Sequence, residues 1–144
     1  MEKRYNMMAR KGAKTAAEIG LPSIVVVVDE FSDLMIVSKK AVEAGIVRIA
    51  QLGRAAGIHL IISTQQPTVA VITSLIKANI SCRIALKTAT VSSSMVILDR
   101  KGAEKLTGKG DALLKLPGEV NPIRFQAPMI ETADISPVVK YWSK

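Results

Sequence analysis

Two adjacent carboxylates, Asp29 and Glu30, stand at the end of the apolar run Ile24-Val25-Val26-Val27-Val28. Neighbouring acids at a strand end can face different ways, one toward a hard cation and one toward a water molecule. Beside a phosphate ester that pair does phosphate chemistry: the first carboxylate holds magnesium against the phosphates and the second orients the attacking water. This is the form of a Walker B element. The same residues also fit a core strand whose charged end meets solvent, because a motif this short recurs by chance. Ser63-Thr64-Gln65-Gln66-Pro67 closes a second apolar run, Ile58-His59-Leu60-Ile61-Ile62, and offers donors to a phosphate or its attacking water. An ordinary polar exit from a strand accounts for it equally. The chain's one histidine, His59, lies inside that run and reads as a packed core residue. Gly108-Lys109-Gly110 lacks the GxxxxGK[ST] spacing of a phosphate loop and leads into a strand pattern. With no metal-ligand cluster and no nucleophile paired to a base, phosphate chemistry is the catalytic option the residues leave.

The elements that must position these groups follow from periodicity. Five β-branched residues in a row suit a strand buried on both faces of a sheet. Residues 31–36 begin helical, and a second helix runs from Ser38, a candidate cap, to about Ala56. At helical spacing Val42, Ile46, Ile49, Gly53 and Ala56 share a stripe, and Arg48, Gln51 and Arg54 share the opposite one. Gly53 on the packed stripe predicts a close helix–strand approach. Gly57 ends the helix, and 58–62 is the next strand. Strand, helix and strand with short connections form a βαβ unit, which makes the two strands parallel. Open α/β sheets bind ligands at the carboxyl ends of their strands, where Asp29, Glu30 and Ser63-Thr64-Gln65 then meet.

The remainder reads as a helix over 2–11, a loop over 12–23, and a short helix within 71–77. Strands are predicted at 82–87, 111–116 and 122–126, and helices at 92–98, capped by its serine run, and 134–142. A single turn or two is predicted near 102–106.

The 144 residues are 49% hydrophobic and 22% charged, which excludes a disordered chain. Aromatics are 3%, so the core must be aliphatic. A net charge of +8 favours an acidic partner, nucleic acid first and an anionic membrane surface second. One cysteine, Cys82, excludes an internal disulfide. With no stretch of membrane-spanning length and no signal-peptide core, the sequence predicts a cytoplasmic protein, although a longer parent chain can be membrane-tethered.

Three blocks taken together are more specific. Val27-Val28-Asp29-Glu30-Phe31-Ser32-Asp33-Leu34-Met35, Gly53-Arg54-Ala55-Ala56-Gly57-Ile58-His59-Leu60 and Val71-Ile72-Thr73-Ser74-Leu75-Ile76-Lys77-Ala78-Asn79-Ile80 resemble the FtsK/SpoIIIE family of hexameric double-stranded DNA translocases. Ile97-Leu98-Asp99, Gly102-Ala103-Glu104-Lys105-Leu106 and Gly108-Lys109-Gly110-Asp111 continue the match, in order, to about Gln126.

The resemblance implies an α/β fold, a partial RecA-like P-loop NTPase core with a mostly parallel sheet flanked by helices. Residues 1–133 correspond to the C-terminal part of the motor domain and 134–144 to a terminal helix or the start of a linker. Asp29 is then the Walker B ligand to magnesium, Glu30 the catalytic glutamate, and Thr64 and Gln65 the nucleotide sensors. Arg54 matches the arginine finger that reaches a neighbouring subunit's site. The cofactors are ATP and magnesium in the complete motor, and the partners are double-stranded DNA and further copies of the chain, a hexamer.

The departures are specific. No GxxxxGK[ST] occurs in the 144 residues, so the isolated chain is expected not to hydrolyse ATP. A winged-helix DNA reader is absent too. At four pore-loop positions where the family tends to carry basic residues, this sequence has Gln66, Lys77, Val91 and Met95. Lys77, Arg83 and Lys87 are the candidate DNA contacts, with Arg100 and Lys101 as further cations, and a solvated basic face explains these equally. The alternative to a motor part is a non-catalytic half-domain that binds DNA or docks on an intact motor. Without the strand and helix that flank a Walker A, part of a hydrophobic sheet face should lie uncovered, which favours self-association.

Overall fold

The computed structural model of the chain describes residues 1–143. They fall into two compact units, one over Met1–Ser81 and one from Cys82 onward.

The first unit opens with helix α1 (Glu2–Arg10), which Arg4 ties down by donating from Nε to the Ala56 carbonyl (2.9 Å) and from Nη2 to the Pro22 carbonyl (2.6 Å). A short 3₁₀ turn at Ala17–Ile19 follows, inside the stretch expected to be loop. Strand β1 (Ile24–Val28) pairs in parallel with β2 (Ile58–Ile62), Val25 opposite His59 and Val27 opposite Ile61. Between them α2 (Phe31–Leu52) is interrupted at Ser38, whose φ of −155° and ψ of 73° are not helical. Two helices meet there, as the candidate cap at Ser38 anticipates. Gly53 is buried at the close of α2, and a Cβ on it would lie 3.0 Å from the Ile58 carbonyl oxygen. The close approach expected there is present. Gly57, at φ +64°, makes the left-handed turn into β2. Helix α3 (Ser74–Asn79) is capped by Thr73, whose Oγ1 accepts from the Ile76 N–H.

One face of the parallel pair is packed. Val28, Leu60 and Ile62 lie against the core of Phe31, Met35, Ile46, Val71 and Ile76. The opposite face is not covered within the first unit: Val25 is 57% exposed, Val27 65% and Ile61 54%. The reading of β1 as buried on both faces is corrected accordingly, since side chains alternate and α2 and α3 cover only one side. His59 alternates onto the same uncovered face and is exposed, which corrects its assignment to the core.

In the second unit β3 (Arg83–Leu86), β4 (Asp111–Lys115) and β5 (Ile123–Gln126) form an antiparallel sheet in that order. The parallel arrangement expected of the sheet therefore holds for β1 and β2 and stops there. The reason for β4 and β5 is connection length, because the short turn at Pro117-Gly118 cannot carry a crossover. Helix α4 (Val91–Leu98) is capped by Thr90, accepting from the Ser93 N–H at 3.1 Å, instead of by the serine run after it. The unit's core is Ala85, Leu98, Ala103 and Leu106. Asp111, 5% exposed, is held by Arg124 from Nε (2.8 Å) and Nη2 (2.7 Å) and by the backbone and hydroxyl of Thr107. Helix α5 (Thr132–Trp142) buries none of its residues. No helix among the described residues is long and apolar enough to cross a membrane.

Candidate functional site

Parallel pairing brings the exits of β1 and β2 side by side. The Ser63 N–H donates to the Val28 carbonyl (2.9 Å), and the Phe31 N–H donates back to the Ser63 carbonyl (2.8 Å). These two bonds fix the chain segments that carry Asp29, Glu30 and Thr64. Glu30 turns from strand to helix in one residue, at φ 42° and ψ 67°, a left-handed conformation uncommon outside glycine. That turn aims the Glu30 carboxylate back across the sheet edge toward β2.

The carboxylate is held there by three donors. Thr64 Oγ1 donates to Oε1 at 2.7 Å, Ser32 Oγ donates to the same oxygen at 2.5 Å, and the Gln65 N–H donates to Oε2 at 3.1 Å. The Ser32 hydroxyl, then that of Thr64, then the Gln65 amide hold the Glu30 carboxyl below its usual range. Such a group stays ionised and is a weak base, suited to orienting and polarising a water rather than keeping its proton. Asp29 is more exposed. Its Oδ1 accepts from Ser63 Oγ (2.6 Å) and the Glu30 N–H (3.0 Å), while Oδ2 accepts no bond among the described residues. One carboxylate with an open hard oxygen fits magnesium, which is usually held by one or two carboxylates plus substrate phosphates and water.

The residues anticipated from the sequence are thus brought together in part. Asp29, Glu30 and Thr64 converge. Gln65 contributes its backbone, and its side chain is exposed. Ser63, expected at this edge with Thr64 and Gln65, bonds Asp29; Ser32 belongs to the cluster without having been singled out for it, although a hydroxyl two residues after Glu30 was the available signal. Arg54 lies elsewhere. It sits exposed in the turn before β2, and because β1 and β2 are parallel that is the opposite edge of the sheet, on the order of 15 Å along the strands.

Of the candidate DNA contacts, Lys77 is half-buried on α3 and Lys87 is exposed just past β3. The Arg83 side chain is only 13% exposed and pairs with Asp99 at 2.8 Å, so its guanidinium already serves an internal carboxylate.

The FtsK/SpoIIIE family profile matches residues 1–69, the stretch that contains Asp29, Glu30, Arg54, Thr64 and Gln65. Aligned over 98% of its length, the chain is 43% identical to the DNA translocase FtsK of Streptococcus pneumoniae and 44% identical to that of Bacillus cereus. The chain belongs to the FtsK/SpoIIIE family. It spans about one fifth of the length of these FtsK/SpoIIIE relatives. Among solved structures, the pCW3 conjugation coupling protein TcpA, in its monomer form with ATPγS, superposes with a TM-score of 0.83 at 29% identity, over 99% of this chain and 45% of that one. The cytoplasmic domain of the type VII secretion ATPase EccC of Thermomonospora curvata gives 0.78 at 25% identity, over 87% of this chain and 16% of that one. The fold is accordingly α/β, a partial RecA-like core of the FtsK/SpoIIIE kind.

Proposed function

We propose that this chain is the Walker B-bearing part of an ATP-driven double-stranded DNA translocase motor, with residues 1–133 derived from the motor domain and 134–144 a terminal helix or linker. The observation that carries the reading is the clamp on Glu30. A carboxylate held ionised by donors from both strand ends, beside Asp29 with an open oxygen, is what orienting a water toward a magnesium-bound phosphate requires. Asp29 binds magnesium in this account, and the bound ion would neutralise charge on the nucleotide's phosphates. Glu30 aligns the water. Thr64, Ser32 and the Gln65 amide keep Glu30 ionised and aimed, and Thr64 and Gln65 link that alignment to the nucleotide.

Arg54 completes the site of a second copy. Its place at the far edge of the parallel pair is out of reach of its own Asp29, which supports action across a subunit interface in a hexameric ring. A guanidinium delivered this way stabilises charge on the transferring phosphoryl group. DNA contact is assigned to Lys77 and Lys87, with Arg83 supporting its region through Asp99.

ATP turnover tests the reading. The 144-residue chain alone should release no phosphate from ATP, since it has no GxxxxGK[ST] loop to cradle the triphosphate. In a motor where that loop stands upstream in the same polypeptide, Asp29→Asn should abolish magnesium-dependent turnover and leave the protein folded. Turnover that persists in Asp29→Asn contradicts the assignment.

A further inference from the structure

The second unit contains a cavity of about 340 Å³ with a basic wall. Arg100, Lys101, Lys105 and Arg124 line it together with Asn121 and Leu113, and no carboxylate is among its lining residues. The four cations differ in how far they are compensated. Arg124 is balanced by its bidentate pair with Asp111. Arg100 is fixed by neutral acceptors only: Nη1 donates to the Val120 carbonyl at 2.6 Å and to Asn121 Oδ1 at 2.5 Å. Those bonds hold the guanidinium in one place without cancelling its charge. Lys101 and Lys105 are exposed and form no ion pair among the described residues. Glu104, next to Lys105, commits one carboxylate oxygen to the Gly102 N–H (2.8 Å) and offsets part of one charge.

A fixed planar fork beside two mobile ammonium groups is a recognition set for phosphate oxygens, the guanidinium setting geometry and the lysines adding charge. The volume lies at the lower end of small-ligand cavities, roughly 300–1,000 Å³, and exceeds what a lone phosphate fills. We propose that this cavity binds linked phosphate groups, presented either by a small polyphosphate anion or by a polynucleotide backbone. The proposal rests on the cavity itself and stands whether or not Asp29 and Glu30 support hydrolysis.

The test is titration calorimetry on the whole chain with inorganic pyrophosphate, followed by competition with a short DNA duplex. Lys101→Gln with Lys105→Gln removes two charges from the cavity. Lys39→Gln with Lys40→Gln removes two exposed charges from α2 and serves as the control. None of these four side chains makes a hydrogen bond or ion pair among the described residues, so both double variants should melt like the parent. Pyrophosphate affinity is expected to fall about tenfold or more in the cavity variant and less than about twofold in the control. If the duplex then displaces pyrophosphate and shows the same dependence on Lys101 and Lys105, the ligand is a polynucleotide backbone. If the duplex fails to displace it, the ligand is a free polyphosphate. An equal loss in both variants would mean diffuse attraction to a chain of net charge +8, and would overturn the proposal. So would the absence of saturable pyrophosphate binding at low ionic strength.

Discussion

Thr64 donates its hydroxyl to Oε1 of Glu30 across 2.7 Å, joining the first turn past β2 to the first turn past β1. The bond depends on the parallel register, since only strands running the same way release Asp29-Glu30 and Ser63-Thr64 at one edge. Thr64→Val keeps the shape of the side chain and removes the donor. The Glu30 carboxyl should then titrate at higher pH, toward the ordinary glutamate range near about 4.3. Because the folded value is lowered, the stability Glu30 contributes is present above that ordinary value and is lost as pH falls through the lowered one. Carbon-13 NMR of the side-chain carboxyl in the isolated chain reads the shift directly. An unchanged titration would mean that Thr64 does not hold Glu30. In an assembled motor the same variant should slow turnover by roughly ten- to a hundredfold, as for one lost hydrogen bond to a charged group.

Arg54 is expected to act on a neighbouring subunit. Arg54→Ala should leave the fold intact, because its side chain is exposed and makes no hydrogen bond or ion pair among the described residues. Turnover of an assembled motor should fall by on the order of 10³-fold or more. Mixing Arg54→Ala protomers with Glu30→Gln protomers should restore part of the activity, because some interfaces then combine an intact Glu30 with an intact Arg54. No recovery on mixing would place both residues in one subunit's site.

The elements around the site were legible because they rest on local pattern. The β-branched run gives β1, the apolar stripe through Val42 and Ile46 gives the packed face of α2, and Arg48 and Gln51 are exposed as the same spacing requires; the helix ends at Leu52 instead of about Ala56, so Arg54 is exposed in the turn that follows. Even the interruption of α2 was visible at Ser38. What was not legible depends on coverage by other elements. Val25, Val27 and His59 have the composition or setting of a buried strand, yet whether a sheet face is covered is decided by elements distant in sequence. Arg83 reads as a free cation until its fold neighbour Asp99 is known. The orientation of β3 against β4 was likewise hidden, since alternation within a strand says nothing about the direction of its partner and the connection from Leu86 to Asp111 is long enough for either; the short turn between β4 and β5 does dictate theirs.

The uncovered face of the parallel pair should make the chain self-associate. Val27→Thr with Ile61→Thr keeps β-branched shapes on two residues that are 65% and 54% exposed, and lowers the apolar area they present. Sedimentation velocity should show a shift toward monomer in this variant at equal concentration. A parent chain that is monomeric throughout would contradict the prediction.

The second unit is expected to be acid-sensitive through Asp111. Hydrogen bonds from Arg124 first, then from the Thr107 amide and hydroxyl, hold its carboxyl far below the ordinary aspartate range. Its contribution is therefore complete above the unfolded value of about 3.9 and is lost progressively as pH falls below it. Asp111→Asn should lower the melting temperature at neutral pH and flatten its dependence on pH below about 4. Melts followed by circular dichroism across that range check both effects. A variant that keeps the parent's full acid dependence would assign that sensitivity to other carboxylates.

The central claim is that Glu30 orients the water that attacks a nucleotide's terminal phosphate. The most direct measurement is DNA-stimulated phosphate release by an assembled motor, with Glu30 or with Glu30→Gln, and with nucleotide binding measured in parallel. Glu30→Gln should retain binding and lose phosphate release by about 10²-fold or more. Release at the parent rate from a Glu30→Gln motor that binds nucleotide normally would contradict that role.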